Sequence, residues 1–191
     1  MAMTVQRRKD TKVPRVFMHK IADIRGGVSV KISELGGDYL HEGAVLSAAD
    51  NGICHVVKIA EVVEQAENSA TAIKVKKGHN FVIGNIVMAD EGKKAYAITG
   101  IDTAGSKTYD TITVKTTLGE VIPIGGFLIE AKAESSATSS ALKYIPQSMV
   151  GTGKPIVSGQ NIDTDAWVIG VTKGRALPEC VAKHLKCIVN Y

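Results

Sequence analysis

The sequence predicts a mainly β protein: a small antiparallel β-barrel or sandwich with an N-terminal extended arm and a small C-terminal α+β part. Three observations predict it. Val and Ile together number 40 against 8 Leu in a chain of 191 residues, and β-branched side chains suit a pleated surface while losing rotamer freedom in helices. The 14 Thr and 19 Gly add strand formers and turns. Short apolar runs recur between Gly-rich breaks, with no helical pattern between them through the middle of the chain.

Residues 1–15 suit an extended arm, interrupted by Pro14, and residues 16–24 fit either a strand or a short helix that ends at Gly26-Gly27. Val28, Val30 and Ile32 then alternate with Ser29, Lys31 and Ser33, the period of a half-buried strand. Residues 44–48 read as a strand, Asp50-Asn51-Gly52 as a hairpin turn, and residues 53–59 as the returning strand. Strands follow at 74–76, 85–89, 95–101, 111–116 and 127–132, divided by turns at Gly78, Gly92, Gly105 and Gly119. Five short strands without a helix between them indicate a barrel or sandwich. Residues 134–140 are small and polar and suit a linker. Beyond it the pattern predicts a strand at 166–171 and a helix from about Leu177, with Pro178 where a missing N–H costs nothing. Val181, Leu185 and Ile188 would form its buried face. The division expected is an arm at 1–25, an N-terminal β region at 26–72, a β-barrel domain at 73–133, a linker at 134–140 and a C-terminal α+β domain at 141–191.

One pattern recurs. Gly37-x5-Gly43, Gly78-x5-Gly84 and Gly119-x5-Gly125 each lead into an apolar run, and the units start 41 residues apart. Duplicated supersecondary units would produce this. So would any bend feeding a strand where glycine supplies positive φ.

The formal net charge of +4 is uneven. Residues 1–25 hold Arg7, Arg8, Lys9, Lys12, Arg15, Lys20 and Arg25 against Asp10 and Asp23, so the rest of the chain is nearly neutral. A basic arm seeks an acidic protein or nucleic-acid surface. The chain has few aromatics, 5% of its residues, which makes a stacking platform for nucleic acid unexpected. No apolar run approaches the roughly 20 residues of a membrane helix, and no secretory signal is expected at the N-terminus.

Motifs that would carry chemistry are weak. Val75-Lys-Lys-Gly78 through Val87 resembles the turn of biotinyl and lipoyl carriers, but the carrier lysine signature is missing. Cys180, His184 and Cys187 lie at helical spacing without a fourth ligand, and buried structural cysteine is the better reading. Cys54 and His55 are strand neighbours and point to opposite faces. Asn161, Asp163 and Asp165 begin like a calcium loop but lack its Gly and distal Glu. No nucleophile, base and oxyanion site assembles. No catalytic residue, metal site or cofactor is therefore expected, and the chain is not expected to be an enzyme.

Two stretches carry a likeness. Phe81–Val87, Ala95–Asp102 and Tyr109–Gly119 resemble the β-barrel region of tailed-phage head proteins. Leu142–Val150 and Ala166–Val171 resemble the C-terminal part of bacteriophage head-fibre or capsid decoration proteins, notably those of Bacteroides and crAss-like tailed phages. The resemblance implies a non-enzymatic virion component on the outer capsid surface, made in the host cytoplasm, bound to the major capsid protein and present as a homo-oligomer, with no membrane and no nucleic acid as partner. Contact with the capsid would fall to the arm, through Arg7, Arg8, Lys9, Lys12, Arg15, Val16 and Phe17. Other readings of the residues are a nucleic-acid-binding β-barrel with a basic arm and a host- or carbohydrate-binding adhesin.

Overall fold

The computed structural model describes residues 15–157 and 159–191. The first third carries β1 (Phe17–Asp23), β2 (Val28–Val30), β3 (Tyr39–Leu40), β4 (Val45–Ser47), β5 (Ile53–Cys54), β6 (Val56–Val57) and β7 (Ile59–Glu61). The middle holds β8 (Ala72–Lys76), β9 (Ile86–Met88), β10 (Ala95–Asp102), β11 (Tyr109–Val114) and β12 (Phe127–Glu130). The last part holds β13 (Pro146–Val150), β14 (Lys154–Pro155), β15 (Ile162–Thr164), β16 (Ala166–Thr172), α1 (Glu179–Ala182) and β17 (Ile188–Asn190). The protein is mainly β, as its Val, Ile and Thr content demands.

Two six-stranded sheets dominate. The first runs β1-β16-β13-β4-β6, with β17 on β16, and the second runs β7-β12-β9-β10-β11-β8. All ladders in these sheets are antiparallel except β16 with β17. The edges of the second sheet approach through one bridge, Val62 to Val75, rather than a ladder, so the sheet curls on itself without closing into a barrel. Two small sheets, β14-β3 and β15-β2-β5, flank the first.

The run 53–61, of which the sequence predicts 53–59 as one strand, visits three sheets. β5 pairs with β2, β6 with β4, and β7 with β12. Its apolar residues are nearly continuous because each short piece is covered on both faces. Val56 packs in one core cluster and Val57 in another. The same alternation occurs in β4, β9 and β12. Val45, Met88 and Ile129 enter a central core, whereas Leu46 enters the core beyond the first sheet and Val87 and Leu128 the core inside the second. Three apolar layers are thus separated by two sheets. Strands buried on both faces lose the clean alternation of a half-exposed strand.

The glycine recurrence has a backbone counterpart. Gly43, Gly84 and Gly125 adopt φ of +80°, +92° and +79°, each two residues before a strand, β4, β9 and β12. Gly37, Gly78 and Gly119 also have positive φ, at +80°, +85° and +76°. All three units use one turn-and-strand geometry.

Four expectations need correction. The span expected as an arm, 1–25, includes β1, which pairs with β16 inside the body from Phe17 to Asp23. The segment 141–191 is no separate domain, because β13 pairs with β4 and shares a core with the middle of the chain. The expected linker is tied down: Ser135 and Ala95 exchange both backbone hydrogen bonds, at 2.9 Å each, and Ser140 is buried. The helix is a single turn. Ile188 leaves it for β17, whose parallel partner is the stretch Gly170–Thr172, past the two residues of β16 that β13 uses.

Candidate functional site: an N-terminal edge and a buried polar seam

Arg7, Arg8, Lys9 and Lys12 lie outside the described residues. Arg15 is exposed at the rim of an open cleft of about 550 Å³ shared with Met18, Lys20, Tyr39, Glu42 and Gly151. Val16 is half-buried. Its N–H and that of Phe17 both donate to Glu42 Oε1, at 3.1 and 2.8 Å. Phe17 points inward, 8% exposed, and packs with Trp167 in the central core. It therefore holds β1 in place and, although it also lines the open cleft, exposes little surface of its own. An aromatic ring of this size is worth more buried than exposed, and the central core accepts it.

Lys20 closes this corner. Its ammonium donates to Gly151 O at 2.6 Å, lies 3.6 Å from Asp165 Oδ2 and sits 5.3 Å from the Trp167 ring centre. Trp167 Nε1 donates to the same carboxylate at 2.7 Å. Burial opposes ionisation of Asp165, but the bonds from Trp167 and Thr152 and the charge of Lys20 outweigh it and lower its pKa. Asp165, one of the three residues that begin like a calcium loop, is an anchor for Lys20 and Trp167.

A second polar group runs through the centre of the molecule. Lys58, between β6 and β7, is 1% exposed, and Glu130, at the end of β12, is 2% exposed. Lys58 Nζ donates to Glu34 O at 2.5 Å and to Asn85 Oδ1 at 2.7 Å, and lies 3.6 Å from Glu130 Oε1. Lys143 donates to the same Glu130 oxygen at 2.9 Å. Glu130 Oε2 is buried without a hydrogen-bond partner. Burial lowers the Lys58 pKa, partly opposed by the charge of Glu130. Next to this, the Glu34 carboxylate accepts from Tyr144 at 2.9 Å, pairs with Lys31 at 3.0 Å and meets His55 Nδ1 at 3.1 Å. His55 and Tyr144 stack with their centres 4.3 Å apart. Burial works against the Glu34 charge, but the donors Lys31, His55 and Tyr144 outweigh it and bring its pKa to about 2.

A third polar group lies by a small cleft of about 60 Å³ lined by Lys76, Lys77, His79 and Arg175. His79 Nδ1 accepts from the Phe81 N–H at 3.0 Å, so the ring proton of the neutral form sits on Nε2, 3.4 Å from Asp110 Oδ2. Burial lowers the His79 pKa and Asp110 partly restores it.

Lys58, Asn85, Glu130, Glu34 and Tyr144 were not singled out in the sequence. A signal was present: Lys58 interrupts Val56-Val57-Lys58-Ile59-Ala60, and Glu130 interrupts Phe127-Leu-Ile-Glu130-Ala131. A charge inside an apolar β run is buried with a partner or faces solvent, and continuous apolarity on both sides favours burial. Among the described residues no group of three or more His, Cys, Asp and Glu is placed to hold a metal ion. Cys180 is buried, Cys187 is exposed, and they do not share a helical face. No described helix is long and apolar enough to cross a membrane. No protein-family model, curated protein or solved structure matches the chain.

Proposed function

We propose that this chain is a structural protein of a virus particle, a capsid decoration or head-fibre protein that binds the major capsid protein from the outside. The observation that carries the reading is the edge position of β1. It is bonded on one side to β16 and on the other to no described strand, and it exposes Met18 and Ile21, 58% and 59% accessible. An open edge with apolar side chains is a template for another protein chain. It continues directly from the basic segment holding Arg7, Arg8, Lys9, Lys12 and Arg15. Exposed ion pairs contribute about 0–1 kcal/mol each, so the edge supplies affinity and the charges supply steering. The likeness of Phe81–Val87, Ala95–Asp102 and Tyr109–Gly119 to phage head proteins, and of Leu142–Val150 and Ala166–Val171 to head-fibre proteins, supports the same reading. Self-association multiplies weak single-site affinity on a repeating lattice, so a homo-oligomer belongs to the proposal.

The test uses a chain beginning at residue 15, which keeps Phe17 and β1, and the full chain carrying Met18→Lys with Ile21→Lys. Both variants should keep the β circular-dichroism spectrum and lose most of their binding to purified capsids. The full chain should saturate at a fixed copy number per shell. Undiminished binding by both variants overturns the reading. Tight binding to duplex DNA that falls steeply with salt would instead favour a nucleic-acid-binding protein.

A further inference from the structure

We propose that Lys58 and Asn85 become joined by an intramolecular amide bond between their side chains, formed by the protein itself after folding. The inference is independent of the capsid reading. It rests on three groups brought together from distant parts of the chain: a buried primary amine, a carboxamide and a buried carboxylic group.

The amine of Lys58 lies 2.7 Å from Asn85 Oδ1, one carbon–oxygen bond of about 1.2 Å from the carbon it would attack. Asn85 Oδ1 also accepts from the Val82 N–H at 3.0 Å. Two donors on that atom identify it as the amide oxygen. The Val82 N–H is fixed by backbone geometry, so it remains to stabilise negative charge developing on the oxygen after Lys58 stops donating and attacks. Glu130 stands 3.6 Å from the amine, and its second oxygen, buried and unpartnered, is free to take or give a proton. Burial favours the neutral, nucleophilic form of Lys58. Water is excluded from Lys58 and Glu130, whereas Asn85 is only half-buried, which leaves the small product a way out.

The step balances without an outside reagent. Glu130 takes a proton from the Lys58 ammonium. The Nζ lone pair attacks Asn85 Cγ, and a carbon–nitrogen bond forms. The carbonyl electron pair moves to Oδ1 and returns as the Cγ–Nδ2 bond breaks. Glu130 passes its proton to the departing nitrogen, which leaves as ammonia, and the second proton of Nζ is released with it as ammonium. Lys143, 2.9 Å from Glu130 Oε1, stabilises the carboxylate that is regenerated. Holding the reactants in place supplies the entropy a free amine and amide would have to lose. The reaction runs once per chain, so it is a maturation step and gives no turnover.

The test is the intact mass of the purified full chain. The expected result is a mass lighter than the sequence by one ammonia molecule. Proteolytic fragments should contain a branched peptide joining the segments around Lys58 and Asn85. Lys58→Arg and Glu130→Gln should each have the full mass of their own sequences. An unshifted mass of the wild-type chain, measured on folded protein, overturns the proposal without reference to any variant. Ammonia loss that persists in Lys58→Arg, or maps to the Asn51-Gly52 turn as a cyclic imide, also overturns it.

Discussion

His79 shows how a single ring nitrogen ties folding to acidity. Its Nδ1 accepts the Phe81 N–H, so a proton placed there breaks that bond inside a buried site. Burial, opposed by Asp110 and reinforced by the charges of Lys77 and Lys58, holds its pKa below the ordinary 6.5. A depressed histidine pKa adds stability that is complete above the unfolded value and is lost as pH falls toward the folded one. The melting temperature should therefore fall as pH is lowered from about 7.5 to about 5. His79→Asn, which keeps a short acceptor for the backbone, should flatten that slope, and an unchanged slope would assign the effect to other groups. Burial also depresses His41, the first of those groups to test. Glu130 sets a larger scale. In a chain carrying Asn85→Ala, where no amide bond can form, Glu130→Ala leaves the buried Lys58 amine without its carboxylate and should cost about 3–5 kcal/mol in denaturant unfolding. In the sequence Glu130 is marked only as a charge inside an apolar run, and His79 is not marked at all. Their charged partners, Asp110 for His79 and Lys58 for Glu130, lie far away in the chain, which no local pattern encodes.

At the scale of elements, the glycine units make a graded test. Gly84 and Gly125 hold positive φ with open space where a Cβ would stand. An alanine at either should cost only the backbone strain of a left-handed L-residue, about 1–2 kcal/mol. Gly43 has similar φ, but its Cβ would come within 2.7 Å of the Val16 side chain. Gly43→Ala should therefore cost clearly more and also loosen the start of β1. Equal losses at all three positions, read from urea midpoints, would show that Val16 gives way freely. These turns were legible in advance because glycine carries its own signal. So were β2, β4, β8, β9, β10, β11, β12 and β16, where apolar alternation or runs of Val and Ile mark strands. The short elements β3, β13, β14, β15 and β17 were not. β14 is the clearest case: two residues, one of them Pro155, become a strand only because Tyr39 and Leu40 lie beside them. The helical spacing of Val181, Leu185 and Ile188 predicts helix up to the start of β17, although the helix stops after one turn.

At the scale of the molecule, the chain leaves the first sheet at β6, builds the whole second sheet, and returns at β13. The sequence suggested separable lobes because residues 134–140 are small and polar, but composition does not reveal that Ser135 is paired and Ser140 covered. The central core draws Val45 and Val57 from before the excursion, Met88 and Ile129 from within it, and Met149 and Leu185 from after it. Cleaving the backbone within residues 136–139, which are exposed, should therefore leave both fragments in one particle. Gel filtration of the nicked protein should give a single peak at the intact size under native conditions, with separation only in denaturant. Two peaks without denaturant would restore the independent lobes.

The pairing of β16 on both sides has a topological consequence. β1 runs antiparallel to β16 and begins with Phe17 opposite Thr172, while β17 runs parallel to it and ends with Asn190 opposite the same Thr172. Lys173 N donates to Val16 O, and Gly174 N reaches Tyr191 O. Phe17 and Asn190 thus flank one residue of one strand from its two sides. In a chain shortened to residues 15–191, a short flexible linker would join its two ends into a ring. New ends could then be opened at the exposed β10–β11 turn, where Thr103, Ala104 and Gly105 face solvent. Circular permutants succeed at such sites, and this one would carry the same fold with its former ends fused at the pole where β1, β16 and β17 converge.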